Sequence, residues 1–542
     1  IATVFLDRCL AFCRTGGTVS AVMPQNWLFL KSYMKLRERL LKQEQWELVA
    51  RLGEGGFHSS AAAGAFTILL GISHTRAPEG HLLCGLDVSE ERDATGKARS
   101  LLDAEMTCVE QGRQLENPDY IIGVDQNESG EPLAIYAKSL AGIDSGDSQR
   151  FRFKFWEMDS LLKGWIRQLN SATQTMEYSG REHILFFEDG KGALSQCPGA
   201  SIRNIKYWGK QGVSISRMRN IPASLSIGES WDRNCACIIP KNNNDLYSLW
   251  TYCSSQNFIT QVRRLNQKLS VSEATFENIP FDLDHWTKVA EEQYPHGLPD
   301  PYSDDPTQWL FHGHPCGSVI WDEETKQLAH GPIRTDGTVL HVAIARLLGY
   351  RWPAETDSGM ELAAEAREWV QRCDALLPFA DDDGIAGIPS LRGEGRLVDR
   401  LRALLAAAYG TAWSPDVENE LLRAAGYTKN DGRLRGDLEG FLRDEFFASH
   451  SQLFHHRPFI WQLWDGRADG FSVLLNYHKL DRRNLERLIY TYLGGWITQQ
   501  RSEVAAATPG AEERLVAALD LKGRLEKILE GEKPYDIFIR WK

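Results

Sequence analysis

Along the first 75 positions the apolar residues switch repeatedly between two periods. Val4 to Cys13 has helical spacing and stops at Thr15-Gly16-Gly17, a helix-stop and turn signal. Thr18-Val19-Ser20-Ala21-Val22-Met23 reads as a buried strand ended by Pro24. Leu30 to Lys42 returns to helical spacing with charges on its outer face. Leu48 to Leu52 and Ala65 to Gly71 are again strands, with the turn Gly53-Glu54-Gly55-Gly56-Phe57 after the first. This is how an α/β layer ends when its last strands form an antiparallel edge. From 76 to 132 the pattern fades into polar sequence with one helical stretch around Ala98 to Arg113, which predicts a connecting segment. Strands dominate from Leu133 to Leu283, with helices predicted from Met158 to Leu169 and from Leu246 to Cys253. Pro- and Asp-rich sequence from Tyr294 to Thr307 marks a boundary. Beyond it helical spacing recurs at Val339 to Leu348, Met360 to Leu376, Gly395 to Ala408, Asn484 to Arg501 and Ala511 to Leu529.

With 542 residues, two to four domains are expected. No apolar run approaches the roughly 20 residues needed to cross a bilayer, and no secretory signal opens the chain. It begins at Ile1 within a helical pattern and ends at Ile539-Arg540-Trp541-Lys542 within a strand-like run, so both ends read as cut. The ten cysteines include no Cys-x-x-Cys pair, which predicts reduced thiols and a cytoplasmic protein.

Charge adds a division that hydropathy does not show. The net charge is −12, yet Ser201 to Ser270 holds ten Lys/Arg against three Asp/Glu, and Phe281 to Leu310 holds seven acids against one Lys. A basic module inside an acidic chain suits a DNA-contacting domain on a scaffold that otherwise repels the polymer. A merely solvated charged face is the alternative.

The block Gly16-Gly17-Thr18-Val19-Ser20-Ala21-Val22-Met23-Pro24-Gln25-Asn26-Trp27-Leu28, a charged helix, then Ala50-Arg51-Leu52-Gly53-Glu54-Gly55-Gly56-Phe57 resembles a known catalytic domain. The likeness is to the later half of the γ-ordered amino-group DNA methyltransferases acting on adenine N6. There a glycine turn feeds a strand ending in Pro, and the next strand leads into Leu-Gly-Glu-x-x-Phe. The resemblance implies that Phe57 stacks on a flipped-out adenine, with one extra residue relative to the tightest family members. Chemistry on a base amino group requires the base to leave the duplex and rest on an aromatic face. The alternative is a Phe57 that caps a hydrophobic core. The family binds S-adenosylmethionine with a glycine-rich turn after its first strand. It polarises the amino group with Asn/Asp-Pro-Pro-Tyr/Phe after its fourth. Neither motif occurs here, and the family order places both before Ile1.

Gly142-Ile143-Asp144-Ser145-Gly146-Asp147-Ser148-Gln149-Arg150-Phe151 is followed far downstream by Leu265-Asn266-Gln267-Lys268-Leu269-Ser270 and Ala274-Thr275-Phe276-Glu277-Asn278-Ile279-Pro280. The pairing is similar to the opening and closing elements of target-recognition domains in restriction-modification methyltransferases. Between them lie Arg203, Lys206, Lys210, Arg217, Arg219, Arg263 and Arg264, interleaved with Tyr207 and Trp208. Phosphate contacts need mobile cations, and base edges in the major groove are read by Arg, Lys, Asn and Gln. Arg150, Lys206, Lys210, Arg217, Arg219, Arg263, Arg264 and Lys268 are the candidate DNA-binding residues.

Other patterns are set aside. Asn117-Pro118-Asp119-Tyr120 lacks the second proline of the catalytic tetrapeptide. Ile184 to Gly192 ends in a Gly-x-Gly turn, but Pro198 and Gly199 leave no room for the helix that should follow. Phe311-His312-Gly313-His314-Pro315-Cys316 has no second ligand pair, so no metal is expected. Asp305 with Glu324-Thr325-Lys326 mimics a nuclease motif, but its polar surroundings read as a hairpin tip. Phe454 to Gly466 packs four aromatics and three bases into thirteen residues, as a core strand or as part of a DNA-facing wall. Similar blocks recur in the large methyltransferases of BREX and DISARM phage-defence systems and in fused restriction enzymes.

The expected fold class is α/β. The C-terminal half of a Rossmann-like methyltransferase domain spans 1–75 and a connecting segment 76–132. A mixed α/β target-recognition domain follows at 133–285, and a mainly helical C-terminal domain at 286–542. The resemblance implies transfer of methyl from S-adenosylmethionine to adenine N6 in duplex DNA, with other defence-system proteins as further partners and no membrane association. Two alternatives are a non-catalytic DNA-recognition scaffold and a fused restriction endonuclease-methyltransferase. A small-molecule methyltransferase leaves the basic module unexplained.

Overall fold

The computed structural model describes residues 1–57, 65–89, 91, 93–123, 130–218, 220–266, 269–391 and 393–535. The chain forms two compact units. The first comprises 1–139, 217–221 and 240–287, and the second 140–216, 222–239 and 288–542. Residues 133–285 thus contribute to both.

The first unit is built on a five-stranded sheet in the order β1-β3-β2-β4-β5, from β1 (Thr18–Pro24), β2 (Gln45–Gly53), β3 (Thr67–Ser73), β4 (Leu82–Asp87) and β5 (Thr107–Glu110). β3 is antiparallel to both β1 and β2, so those two run parallel to each other with a reversed strand between them. β4 runs parallel to β2, and β5 closes the far edge antiparallel to β4. The inner β3 is buried at nearly every position, with Ile68, Leu69, Leu70 and Ile72 as its apolar residues. Helices α1 (Ala2–Phe12) and α2 (Met34–Gln43) contribute Leu6, Leu10, Leu40 and Leu41 to a core with Trp27, Trp46, Val49, Ile68, Leu70 and Ile72. Three further helices, Leu246–Cys253, Gln256–Leu265 and Glu273–Glu277, belong to the same unit.

Segment 76–132 holds more structure than its polarity implies. It supplies β4 and β5, and α3 (Ala94–Asp103) lies N-terminal to the predicted helix, capped by Asp93, which accepts from the Thr95 and Gly96 amides. Cys84 and Cys108 are directly opposed on β4 and β5 and form a disulfide, so the expectation of reduced thiols fails at this pair. The other eight cysteines are free.

A fully buried Arg37 pins the end of this segment. Its guanidinium donates to the carbonyls of Trp27 (2.6 Å), Leu30 (2.9 Å), Asp119 (2.8 Å) and Tyr120 (2.9 Å). Asp119 and Tyr120 both sit in left-handed backbone, at φ 52° and 54°, so Asn117-Pro118-Asp119-Tyr120 is a strained turn and not the end of a strand. Burial lowers the Arg37 pKa to about 10, which leaves it charged at neutral pH.

The second unit holds a four-stranded sheet of Ser230–Trp231, Trp165–Leu169, His183–Phe186 and Arg152–Lys154. Ala223–Ser226, Gly212–Ser216 and Cys235–Pro240 lie side by side in a further sheet, each antiparallel to its neighbour. The helix expected from Met158 to Leu169 does not form. Gly164, at φ 92°, interrupts it, and Trp165–Leu169 pairs with His183–Phe186 instead. Beyond residue 330 helices dominate as expected, around a small sheet of Ile385–Gly387, Ser472–Asn476 and Ile460–Trp464. Val319–Asp322 and Gln327–His330 form the expected hairpin.

Inside this unit Arg181 is fully buried and donates to Glu229 Oε1 (2.8 Å) and the Leu225 carbonyl (2.7 Å). Its own amide and carbonyl bond Gln308 Oε1 and the Trp309 amide.

Two outcomes are expected. Arg37→Ala leaves carbonyls unpaired and lowers stability by on the order of 3 kcal/mol, read from the urea midpoint of the first unit. The second concerns four histidines whose burial lowers their pKa: His183 to about 2, His314 to about 3, His341 to about 4, and His450 well below its ordinary value. The unfolded chain protonates these rings below about 6.5 and the folded chain does not. Their contribution is therefore complete above that pH and is lost as pH falls toward the lowered values. The urea midpoint of the second unit should fall steeply between about pH 6.5 and 5, before most carboxylates titrate.

Candidate nucleic-acid interface

The basic loops of the second unit rest on a small core of Ile143, Phe151, Leu185, Phe187 and Leu194. The one-turn helix Ser148–Phe151 starts at Asp147, whose carboxylate accepts from the Arg150 amide (3.2 Å). The turn buries Phe151 and leaves Arg150 exposed, its guanidinium 4.9 Å from the Phe151 ring centre. Trp208 packs on Phe187 with ring centres 4.9 Å apart and anchors the loop just before it. There Asn204 adopts left-handed backbone (φ 62°) and donates its amide to the Ala141 carbonyl (2.9 Å). Lys206 and Lys210 place their ammonium groups 5.3 and 5.4 Å from the Tyr207 ring centre.

Arg203 is exposed and donates to Ser201 Oγ, and Lys191 is exposed as well. Among the described residues Arg150, Lys191, Arg203, Lys206 and Lys210 have no carboxylate partner. Ring contacts of this kind hold a lysine stem with little loss of charge, at about 0.5–1 kcal/mol each. The loops therefore present cations in fixed positions to an anion. Lys191 was missed from sequence, although the Gly190-Lys191-Gly192 turn that exposes it was recognised as a turn.

The remaining candidates belong to the first unit. Arg217 is half-buried, paired with Glu273 (2.6 Å) and donating to the Val271 carbonyl. Arg263 and Arg264 sit in the last turn of Gln256–Leu265 and line a cleft of about 520 Å³ with Asp87, Glu91 and Gln256. Burial lowers the Arg263 pKa. Arg219 and Lys268 lie outside the described residues. Of the six candidates among the described residues, Arg150, Lys206 and Lys210 belong to the second unit and Arg217, Arg263 and Arg264 to the first.

Phe57 ends the turn at the carboxyl end of β2 and is 40% exposed. Gly53 takes φ 64°, and a side chain there would meet Ser89 Cβ at 2.8 Å. The Val88 amide donates to the Arg51 carbonyl (2.9 Å), and Arg51 donates to the Ile122 carbonyl (2.8 Å) and faces Asp87. The base of the turn is thus braced by the β4–α3 loop. Sequence reading had no signal for this, since Asp87 to Ser89 lies in the polar stretch.

The chain matches no family model. Over 135 residues it is 26% identical to the adenine-specific methyltransferase PglX of Lacticaseibacillus casei (strain Zhang), a match covering 24% of this chain and 10% of that protein. Among known structures it is similar to the type IIL restriction-modification enzyme MmeI in complex with DNA (TM-score 0.33, 11% identity, 78% of this chain and 51% of that one). The DrdV–DNA complex covers the same shares at TM-score 0.29 and 11% identity. The ATP-dependent type ISP enzyme LlaBIII bound to DNA covers 53% of this chain and 25% of its own, at TM-score 0.29 and 8% identity. The chain thus spans about half or less of the proteins it matches. It is weakly homologous to an adenine methyltransferase and distantly similar to restriction-modification enzymes. No helix among the described residues is long and apolar enough to cross a membrane.

Removing a phosphate-contacting cation reduces the slope of log affinity against log salt by about 0.9. Lys206→Ala and Lys210→Ala should each do so on duplexes of any sequence, measured by DNA titration at several salt concentrations.

Proposed function

We propose that this chain is part of a site-specific DNA methyltransferase that moves a methyl group from S-adenosylmethionine to adenine N6 in duplex DNA, within a restriction-modification or phage-defence system. The observation that carries the reading is the Leu52–Phe57 turn at the carboxyl end of β2, in a sheet whose reversed strand separates two parallel ones. Ligands of α/β sheets bind outside the carboxyl ends of the strands, and an exposed ring there meets the need of base flipping. The homology to PglX supports the same class.

Phe57 receives the extruded adenine on its face. Gly53 and Ser89 fix the turn that carries it, and the cations of the basic loops hold the duplex through its phosphates. This chain has neither the glycine-rich turn nor the Asn-Pro-Pro-Tyr/Phe tetrapeptide, so its residues alone do not fit S-adenosylmethionine. β1 is an edge strand, and Val4, Phe5 and Phe12 of α1 are exposed. In our reading an upstream α/β half carrying both motifs pairs along β1 and covers these side chains.

The test is labelled methyl transfer to duplex DNA by the protein with its upstream coding sequence. Phe57→Ala should lower transfer about tenfold or more, from the loss of a base–aromatic stack, and Phe57→Tyr should retain most of it. Label that survives Phe57→Ala would remove Phe57 from the site. An absence of label on any duplex, with DNA binding intact, would leave a recognition scaffold.

A further inference from the structure

The second unit carries an aromatic pair that its core does not use. Trp461 lies on Ile460–Trp464, the edge strand of the three-stranded sheet, and Tyr477 follows the neighbouring strand Ser472–Asn476. Their rings are stacked, with centres 5.0 Å apart and planes inclined by 23°. Both are large aromatics left about two-fifths exposed, at 42% and 41%. The arrangement is fixed from below. Trp461 Nε1 donates to the Pro458 carbonyl (2.9 Å), and the Tyr477 amide donates to the Phe459 carbonyl (2.9 Å). A ring held this way loses little rotamer freedom on binding.

The segment leading into the pair is strained. His455 and His456 are consecutive non-glycine residues in left-handed backbone, at φ 54° and 59°. Such conformations persist only where surrounding structure holds them, and they cluster at functional sites. Here the Arg457 carbonyl accepts from Trp156 Nε1 (3.0 Å), which anchors the loop. Arg457 is paired with Glu157 and His455 with Glu182, yet each keeps nearly half its side-chain surface in solvent, and His456 is exposed.

We propose that Trp461 and Tyr477 form a stacking platform for an unpaired nucleobase, with the exposed His456 ring donating an N–H to the phosphate of the same strand. A flat ring with polar edges gains from such a face while its edges stay hydrated, and stacking of this kind tolerates any base. The exposed His456 beside the rings has no carboxylate partner among the described residues and offers a ring N–H to a phosphate oxygen. Bases within a duplex cannot reach the platform, so it takes a single strand or an extruded base. The proposal rests on the nucleic-acid reading above but not on methyl transfer or on Phe57.

The test uses the full-length protein and the anisotropy of three fluorescein-labelled ligands: an oligothymidylate, a perfect duplex, and that duplex with one bulged thymine. Trp461→Ala should weaken binding of the single strand and the bulge by about tenfold and leave the perfect duplex unchanged. Tyr477→Leu should act in the same direction and carries the test where Trp461→Ala does not fold. Trp464→Ala removes an exposed but unstacked tryptophan and should change nothing. Single-strand binding unaltered by both platform substitutions overturns the proposal, as does an equal loss on the perfect duplex. Loss of self-association in Trp461→Ala, read by light scattering, assigns the rings to a second copy of the chain and overturns it equally. Methylation without single-strand binding would remove the platform alone, and single-strand binding without methylation would remove the proposed activity alone.

Discussion

The first unit depends on one buried cation. Arg37 spends its guanidinium entirely on backbone carbonyls, two from the turn after β1 and two from residues 119 and 120. A charge in that position is tolerable only because oxygens surround it, and the Trp27, Asp119 and Tyr120 carbonyls in turn find their donor in it. The left-handed backbone of Asp119 and Tyr120 is held in place by the same contacts. Arg51 then reaches the Ile122 carbonyl, two residues further on, from within β2. Two arginines therefore tie a polar segment beneath the strand that ends in the turn of Phe57.

Charge pairing separates two kinds of surface in the second unit. Along its helical part arginines meet carboxylates: Arg402 with Glu418, Arg435 with Glu445, Arg487 with Asp383, Arg514 with Glu503. The cations around Tyr207 lack such partners among the described residues. Paired charges cancel within a few ångströms, whereas unpaired ones project a field into solvent and guide a polyanion to it. A protein of net charge −12 can thus attract DNA at one loop cluster.

Sequence reading succeeded where burial imposes a period. β2 and β3 are legible because their apolar residues face a core, and helices such as Ala511–Glu530 because they hide one stripe. β1, expected to be buried, lies at the sheet edge, where only Met23 is buried and Val22 is exposed. Sequence reading failed where tertiary pairing overrides local preference. Trp165–Leu169 has a spacing that suits either state, and only its partner strand makes it β. β4 and β5 went unread because polar sequence surrounds them. For the candidate site, residue type was legible and grouping was not. Arg217 follows Lys206 and Lys210 closely in the chain, yet it is bound to Glu273 within the other unit.

The disulfide between Cys84 and Cys108 gives redox conditions a role in the stability of the first unit. It closes a loop of 24 residues that contains α3 and the Val88–Ser89 brace. Closing a loop of this size restricts the unfolded chain by about 3 kcal/mol on the entropic account. Thiol reductants withdraw that restriction, so the segment that braces the turn of Phe57 loses stability when two cysteines on the far side of β2 from β1 are reduced.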